Sequence, residues 1–118
     1  MVSCKHAVEM HMEKQALEKI LNETIKRILA VAPAKQVILF GSAARGEMHP
    51  DSDMDLLVVV PDGLRRRETA QKIYRNLIGV GFAADIIVVT EDDVRRYRND
   101  PGMVIGPAVD EGRVLYAA

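Results

Sequence analysis

Asp53 and Asp55 stand one residue apart at the head of the apolar run Leu56-Leu57-Val58-Val59-Val60, and a Gly41-Ser42 pair lies upstream, with ten residues between Ser42 and Asp53. Side chains alternate along a strand, so two aspartates at this spacing project from one face. Paired carboxylates on one face suit a hard divalent cation with oxygen ligands. Gly41-Ser42 follows the apolar segment Val37-Ile38-Leu39-Phe40. The chain therefore leaves a strand there and is expected to open a short helix, whose first free N–H groups form an anion site with phosphate as its usual guest. A third carboxylate, Asp85, sits inside the apolar, β-branched run from Ala83 to Val89. Such a carboxylate is costly to bury unless a cation or a hydrogen-bond donor meets it. Two sources are open: a metal shared with Asp53 and Asp55, or an arginine from the Arg65-Arg66-Arg67 run or Arg75 at the strand's open end. Under the first, three carboxylates on neighbouring strands can hold two Mg²⁺ ions, enough to clamp the attacking and leaving oxygens of a phosphoryl displacement.

The apolar spacing supplies elements that would position these groups. From about Val8 to Val31, the residues Leu17, Ile20, Leu21, Ile25, Ile28 and Leu29 form the stripe of an amphipathic helix, which Pro33 ends. Strands near Val37 to Phe40 and Asp55 to Val60 follow, and Pro61-Asp62-Gly63 breaks the pattern. Ala70, Ile73, Tyr74, Leu77 and Ile78 predict a second helix stopped by Gly79 and Gly81. Ala83 to Val89 predicts a third strand, and Thr90 the N-cap of a helix with Glu91, Asp92 and Asp93 in its first turn. A short helix within Pro101 to Glu111 and a final strand at Arg113-Val114-Leu115-Tyr116 complete the order. This order predicts an α/β (α+β) domain: a mixed sheet of about four strands, helices mainly on one side, and a site at the sheet edge where Gly41, Asp53 and Asp55 meet.

The chain has 118 residues, with 16 Lys plus Arg against 17 Asp plus Glu. That length builds one core, so residues 1–118 are expected to form a single catalytic domain, with any second substrate recognised by a partner or a small exposed cleft. Balanced charge argues against a surface made to coat nucleic acid. The lone Cys4 cannot form an internal disulfide, and no cleavable leader or long apolar span is seen, so the expected setting is the cytoplasm, away from membranes. His6, His11 and His49 lack a spaced partner set and are assigned no metal role. Arg65-Arg66-Arg67 and Arg95, Arg96 and Arg98 read as solvated helix-end faces rather than a docking patch for an acidic partner.

Gly41-Ser42, the ten-residue interval and Asp53-Met54-Asp55, with Ala44-Arg45-Gly46 inside it and Ser52 before the first aspartate, resemble the signature of the DNA polymerase β-like nucleotidyltransferase superfamily. Within it the chain is most similar to the minimal nucleotidyltransferase domains found beside HEPN-domain proteins in prokaryotes. Asp85 matches the third family carboxylate and Gly112-Arg113-Val114-Leu115-Tyr116 resembles the usual C-terminal ending, so the likeness spans nearly the whole chain. The joint spacing is far more specific than a bare Gly-Ser or Asp-x-Asp.

The resemblance implies transfer of a nucleoside monophosphate, AMP from ATP, to a hydroxyl acceptor with release of pyrophosphate, supported by two Mg²⁺ ions or by Mn²⁺. It implies that Gly41 admits the triphosphate close to the backbone, that Ser42 offers its N–H and hydroxyl to the phosphates, and that Arg45 reaches a phosphate oxygen. It further implies that Asp53 and Asp55 bind both metals and that Asp85 completes the metal that activates the acceptor and helps to take its proton. Ser52 reads as a cap for the turn before Asp53. The same resemblance implies an antitoxin-like subunit that pairs with a HEPN-domain toxin and adds AMP to its tyrosine, with homo-oligomer formation open. The rival from another class is a nucleotide-binding module that neutralises a helical partner by occlusion. Haloacid-dehalogenase-type phosphatases and many glycosyltransferases also use Asp-x-Asp, but there the apolar strand precedes the aspartates, whereas here the main apolar run follows Asp55. No Gly-Lys-Ser/Thr follows Gly41, which excludes a Walker-type P-loop.

Overall fold

The computed structural model describes residues 2–41, 44, 53–81 and 83–118, with side chains from residue 15 onward. Along the chain run α1 (Val2–Val31), β1 (Gln36–Phe40), β2 (Met54–Val60), α2 (Arg66–Asn76), β3 (Ala84–Thr90), α3 (Glu91–Tyr97), α4 (Ile105–Glu111) and β4 (Arg113–Ala117). Each element expected from periodicity is present. α1 begins at Val2 rather than near Val8. The apolar stripe reports only the packed part of a helix, whereas good helix formers such as Lys5, Glu9 and Met10 carry it further.

The four strands lie in the order β3-β2-β1-β4. β1 is antiparallel to β2 and β4, while β2 and β3 are parallel. A parallel pair needs a crossover, and α2 provides it. β2 is buried from Leu56 through Val60, because both faces of the sheet are covered. On one face Leu21 and Ile28 of α1, Ile73 of α2 and its C-cap Leu77 pack against Val37, Leu56, Val58 and Val88. On the other, Ile105 and Ala108 of α4, flanked by Val94 and Tyr97 of α3, pack on Ile38, Leu57, Val59 and Val89. Helices of 30 and 11 residues on the first face against two of seven on the second give the expected bias to one side.

The inward stripe of α2 is narrower than its apolar letters suggest. Ile73 and Leu77 are buried, but Tyr74 is 43% and Ile78 79% exposed. The helix ends at Asn76, so Ile78 falls in the following turn, where its carbonyl accepts from Arg27 at 2.8 Å. The Asn76 amide in turn donates to the Arg27 carbonyl at 2.8 Å, which ties the ends of α1 and α2 together. At the start of α3 the expected N-cap forms a full capping box: the Thr90 hydroxyl accepts from Asp93 N–H at 3.1 Å, and the Asp93 carboxylate accepts from Thr90 N–H at 3.0 Å. α4 passes into β4 at Gly112, where a Cβ would run into the Ala108 carbonyl and the Ile38 side chain. Only glycine lets the chain return this close to β1.

Candidate active site

β1 finishes at Phe40 where β2 and β3 begin, so the end of one strand and the starts of two others share one end of the sheet. Phe40 pairs with Asp55, and Asp55 lies in register with Asp85. Strands pack about 4.8 Å apart, and residues in register on parallel strands share a face. Leu57 and Val59 of β2 and Val89 of β3 face α3 and α4, and by alternation Asp53, Asp55 and Asp85 belong to that same face. Asp53 and Asp85 are exposed and Asp55 is half-buried. Asp53 and Asp55 lie at the start of the inner strand β2 and Asp85 at the start of the outer strand β3, so the set sits at one end of the sheet with Asp85 on its lateral edge.

Electrostatics separate the three. Burial pushes the Asp55 carboxyl above the usual carboxylate range, and the charges of Asp85 and then Asp53 push it further. Among the described residues no arginine or lysine pairs with any of them, so the ion-pair reading of Asp85 is not what the structure shows. Its partner is instead Tyr74, whose hydroxyl donates to Asp85 Oδ1 at 3.2 Å and accepts from Ile86 N–H at 2.8 Å. Sequence reasoning placed Tyr74 in an apolar stripe and missed this role. The one available signal was the amphipathic character of tyrosine itself, an apolar ring with a polar tip.

Among the described residues no three side chains of His, Cys, Asp or Glu are drawn into a ready coordination shell. The three aspartates are related by shared face and register, not by a coordination shell already drawn together. Their donors are all oxygen, which suits Mg²⁺ or Mn²⁺. Gly41 contributes geometry. Its φ of +73° lies in the left-handed region, and a Cβ there would run into the Asp55 carboxylate. The residue was expected to make room for a triphosphate; what the structure shows is that it makes room for Asp55. Ser42, Arg45 and Ser52, together with the short helix expected after Gly41, lie outside the described residues.

A four-stranded mixed sheet with a glycine turn leaving β1 and aspartates opening β2 and β3 has the architecture of a nucleotidyltransferase. Residues 17–115 match the nucleotidyltransferase domain family, and the chain belongs to it. No curated protein matches. Solved structures that match include a proposed nucleotidyltransferase from Sulfolobus solfataricus, 20% identical over 88% of this chain and 85% of that one, with a TM-score of 0.59. A toxin–antitoxin structure with AMP-PNP is 27% identical over 83% of this chain and 73% of that one, with a TM-score of 0.56. A mutant of the MntA-HpeT toxin–antitoxin pair is 24% identical over the same shares, with a TM-score of 0.57. Among the described residues no helix is long and apolar enough to cross a membrane.

Proposed function

We propose that this chain transfers AMP from ATP to a hydroxyl acceptor, acting as the antitoxin-like subunit of a pair whose HEPN-domain partner carries the acceptor tyrosine. The observation that carries the reading is the set of three aspartates on one face of neighbouring strands, with no cationic partner among the described residues and one carboxyl held above its usual range. Charges left unmatched in this way mark functional sites more often than structural ones. Mg²⁺ or Mn²⁺ held by Asp53, Asp55 and Asp85 supplies the positive charge shared by carboxylates and triphosphate.

The chain's own residues do the rest. Gly41 leaves space for the Asp55 carboxylate and for close approach of phosphate to the backbone, while Ser42 and Arg45 bind phosphate oxygens. Asp85, exposed at the start of the outer strand, takes the acceptor's proton as its oxygen bonds to the α-phosphorus and the bond to pyrophosphate breaks. The match to a toxin–antitoxin structure with AMP-PNP supports both the adenine nucleotide and a toxin partner. On this reading residues 1–118 form a single catalytic domain in the cytoplasm, which relies on the partner to present the acceptor. Incubation with α-labelled ATP, Mg²⁺ and the partner should label the partner with the wild-type chain and not with Asp53→Ala/Asp55→Ala. A variant that still neutralised the partner without labelling it would favour occlusion.

A further inference from the structure

We infer that Tyr74 is a positioning residue for the transfer reaction, acting by holding the Asp85 carboxylate through one of its two oxygens. The inference rests on the assignment of Asp85 to the carboxylate set above. Asp85 is the second residue of the outermost strand and its side chain is exposed, so packing alone does not select one rotamer. β3 pairs only with β2, which leaves backbone N–H groups along its outer edge without strand partners. One of them, Ile86 N–H, donates to the Tyr74 hydroxyl at 2.8 Å. A phenol has one proton to give. With its oxygen already accepting from the backbone, the phenol directs that proton to Asp85 Oδ1, which lies 3.2 Å from the phenol oxygen. The relay runs from strand backbone to phenol to carboxylate, and it leaves Oδ2 for a cation or an acceptor proton.

Tyr74 itself is anchored by its neighbour Ile73, which is fully buried beneath α2. Tyr74 as a whole is 43% exposed, so burial of the tyrosine does not account for its placement. Carboxylates that hold metals are generally hydrogen-bonded by such outer partners, and losing the partner weakens metal binding by about 10–100-fold. A purely structural alternative is that Tyr74 only shields the edge of β3. That role would be indifferent to whether residue 85 carries a carboxylate, which makes the two separable.

The test is a double-mutant cycle read by calorimetry, titrating Mn²⁺ into the full chain with AMP-PNP present. Tyr74→Phe should weaken Mn²⁺ binding about tenfold while melting close to wild type, and should cause no further loss in the Asp85→Ala background. Wild-type affinity in Tyr74→Phe, or an equal loss in both backgrounds, would overturn the inference. Asp53→Ala/Asp55→Ala serves as the control. If it is impaired while Tyr74→Phe is silent, the site stands and the role of Tyr74 falls; if it binds Mn²⁺ like wild type, the site assignment and the role of Tyr74 fall together.

Discussion

Two acidic clusters lie at opposite ends of β3, and they are handled in opposite ways. At the end where α3 begins, Asp62 accepts from Asp92 N–H at 2.9 Å and pairs with Arg95 at 3.2 Å, Asp92 pairs with Arg96 at 2.9 Å, and Asp93 closes the capping box while meeting Arg66 at 3.1 Å. At the end where Asp85 begins the strand, three aspartates share a face with no cation beside them among the described residues. The carboxyls shift accordingly. The Asp92 N–H, with Arg95, holds Asp62 below the usual range, whereas burial and its neighbours' charges hold Asp55 above it. The first cluster is neutralised by arginines and backbone donors; in the second, among the described residues, only Asp85 meets a donor, the Tyr74 hydroxyl, and on the proposed reading the missing positive charge comes from a bound cation.

The largest effect that would sharpen this contrast is on chemistry. Asp85→Asn keeps shape but removes charge, and should cut transfer of labelled AMP onto the partner by about a hundredfold or more while retaining appreciable ATP·Mg²⁺ affinity. Unchanged transfer would return Asp85 to a structural role. Next comes Gly41→Ala, whose Cβ would displace the Asp55 carboxylate and hold a non-glycine residue in the left-handed region at about 1–2 kcal/mol. Nucleotide affinity by calorimetry should fall at least about tenfold, as misplaced ligands cost. Normal binding would reduce Gly41 to a connector.

On the matched cluster, Thr90→Ala removes a formed cap and should lower stability by about 1 kcal/mol in denaturant unfolding, with nucleotide binding intact. The smallest effect has the opposite sign. Because the folded state holds the Asp55 proton more tightly than the unfolded chain, stability free of divalent cations falls as pH rises from the ordinary carboxylate value through the raised one. Asp55→Asn should therefore melt higher than wild type at neutral pH and flatten that dependence in scanning calorimetry. A lower melting temperature would show that Asp55 is matched after all.

Most of the fold was legible because each element announces itself locally. The β2 run from Leu56 to Val60, the Thr90 cap and the Gly41-to-Asp55 spacing all follow from neighbours in sequence. The candidate carboxylates were legible for the same reason, since alternation fixes a shared face. What was not legible depends on contacts between separate elements. Tyr74 meets Asp85 only because α2 lies along the outer edge of β3, and Gly41 meets Asp55 only because β1 and β2 pair in one register. The arginines at the head of α2 and along α3 were read correctly as exposed faces, but their ion pairs with Asp62 and Asp93 across elements could not be paired from the sequence.

On the proposed reading, aspartates with no cation beside them among the described residues bind nucleotide through a divalent ion. This is tested most directly by titrating ATP into wild type and Asp53→Ala/Asp55→Ala, each with and without Mg²⁺. A Mg²⁺-dependent affinity in wild type that disappears in the variant is the predicted result; equal Mg²⁺-dependent affinity in both would contradict it.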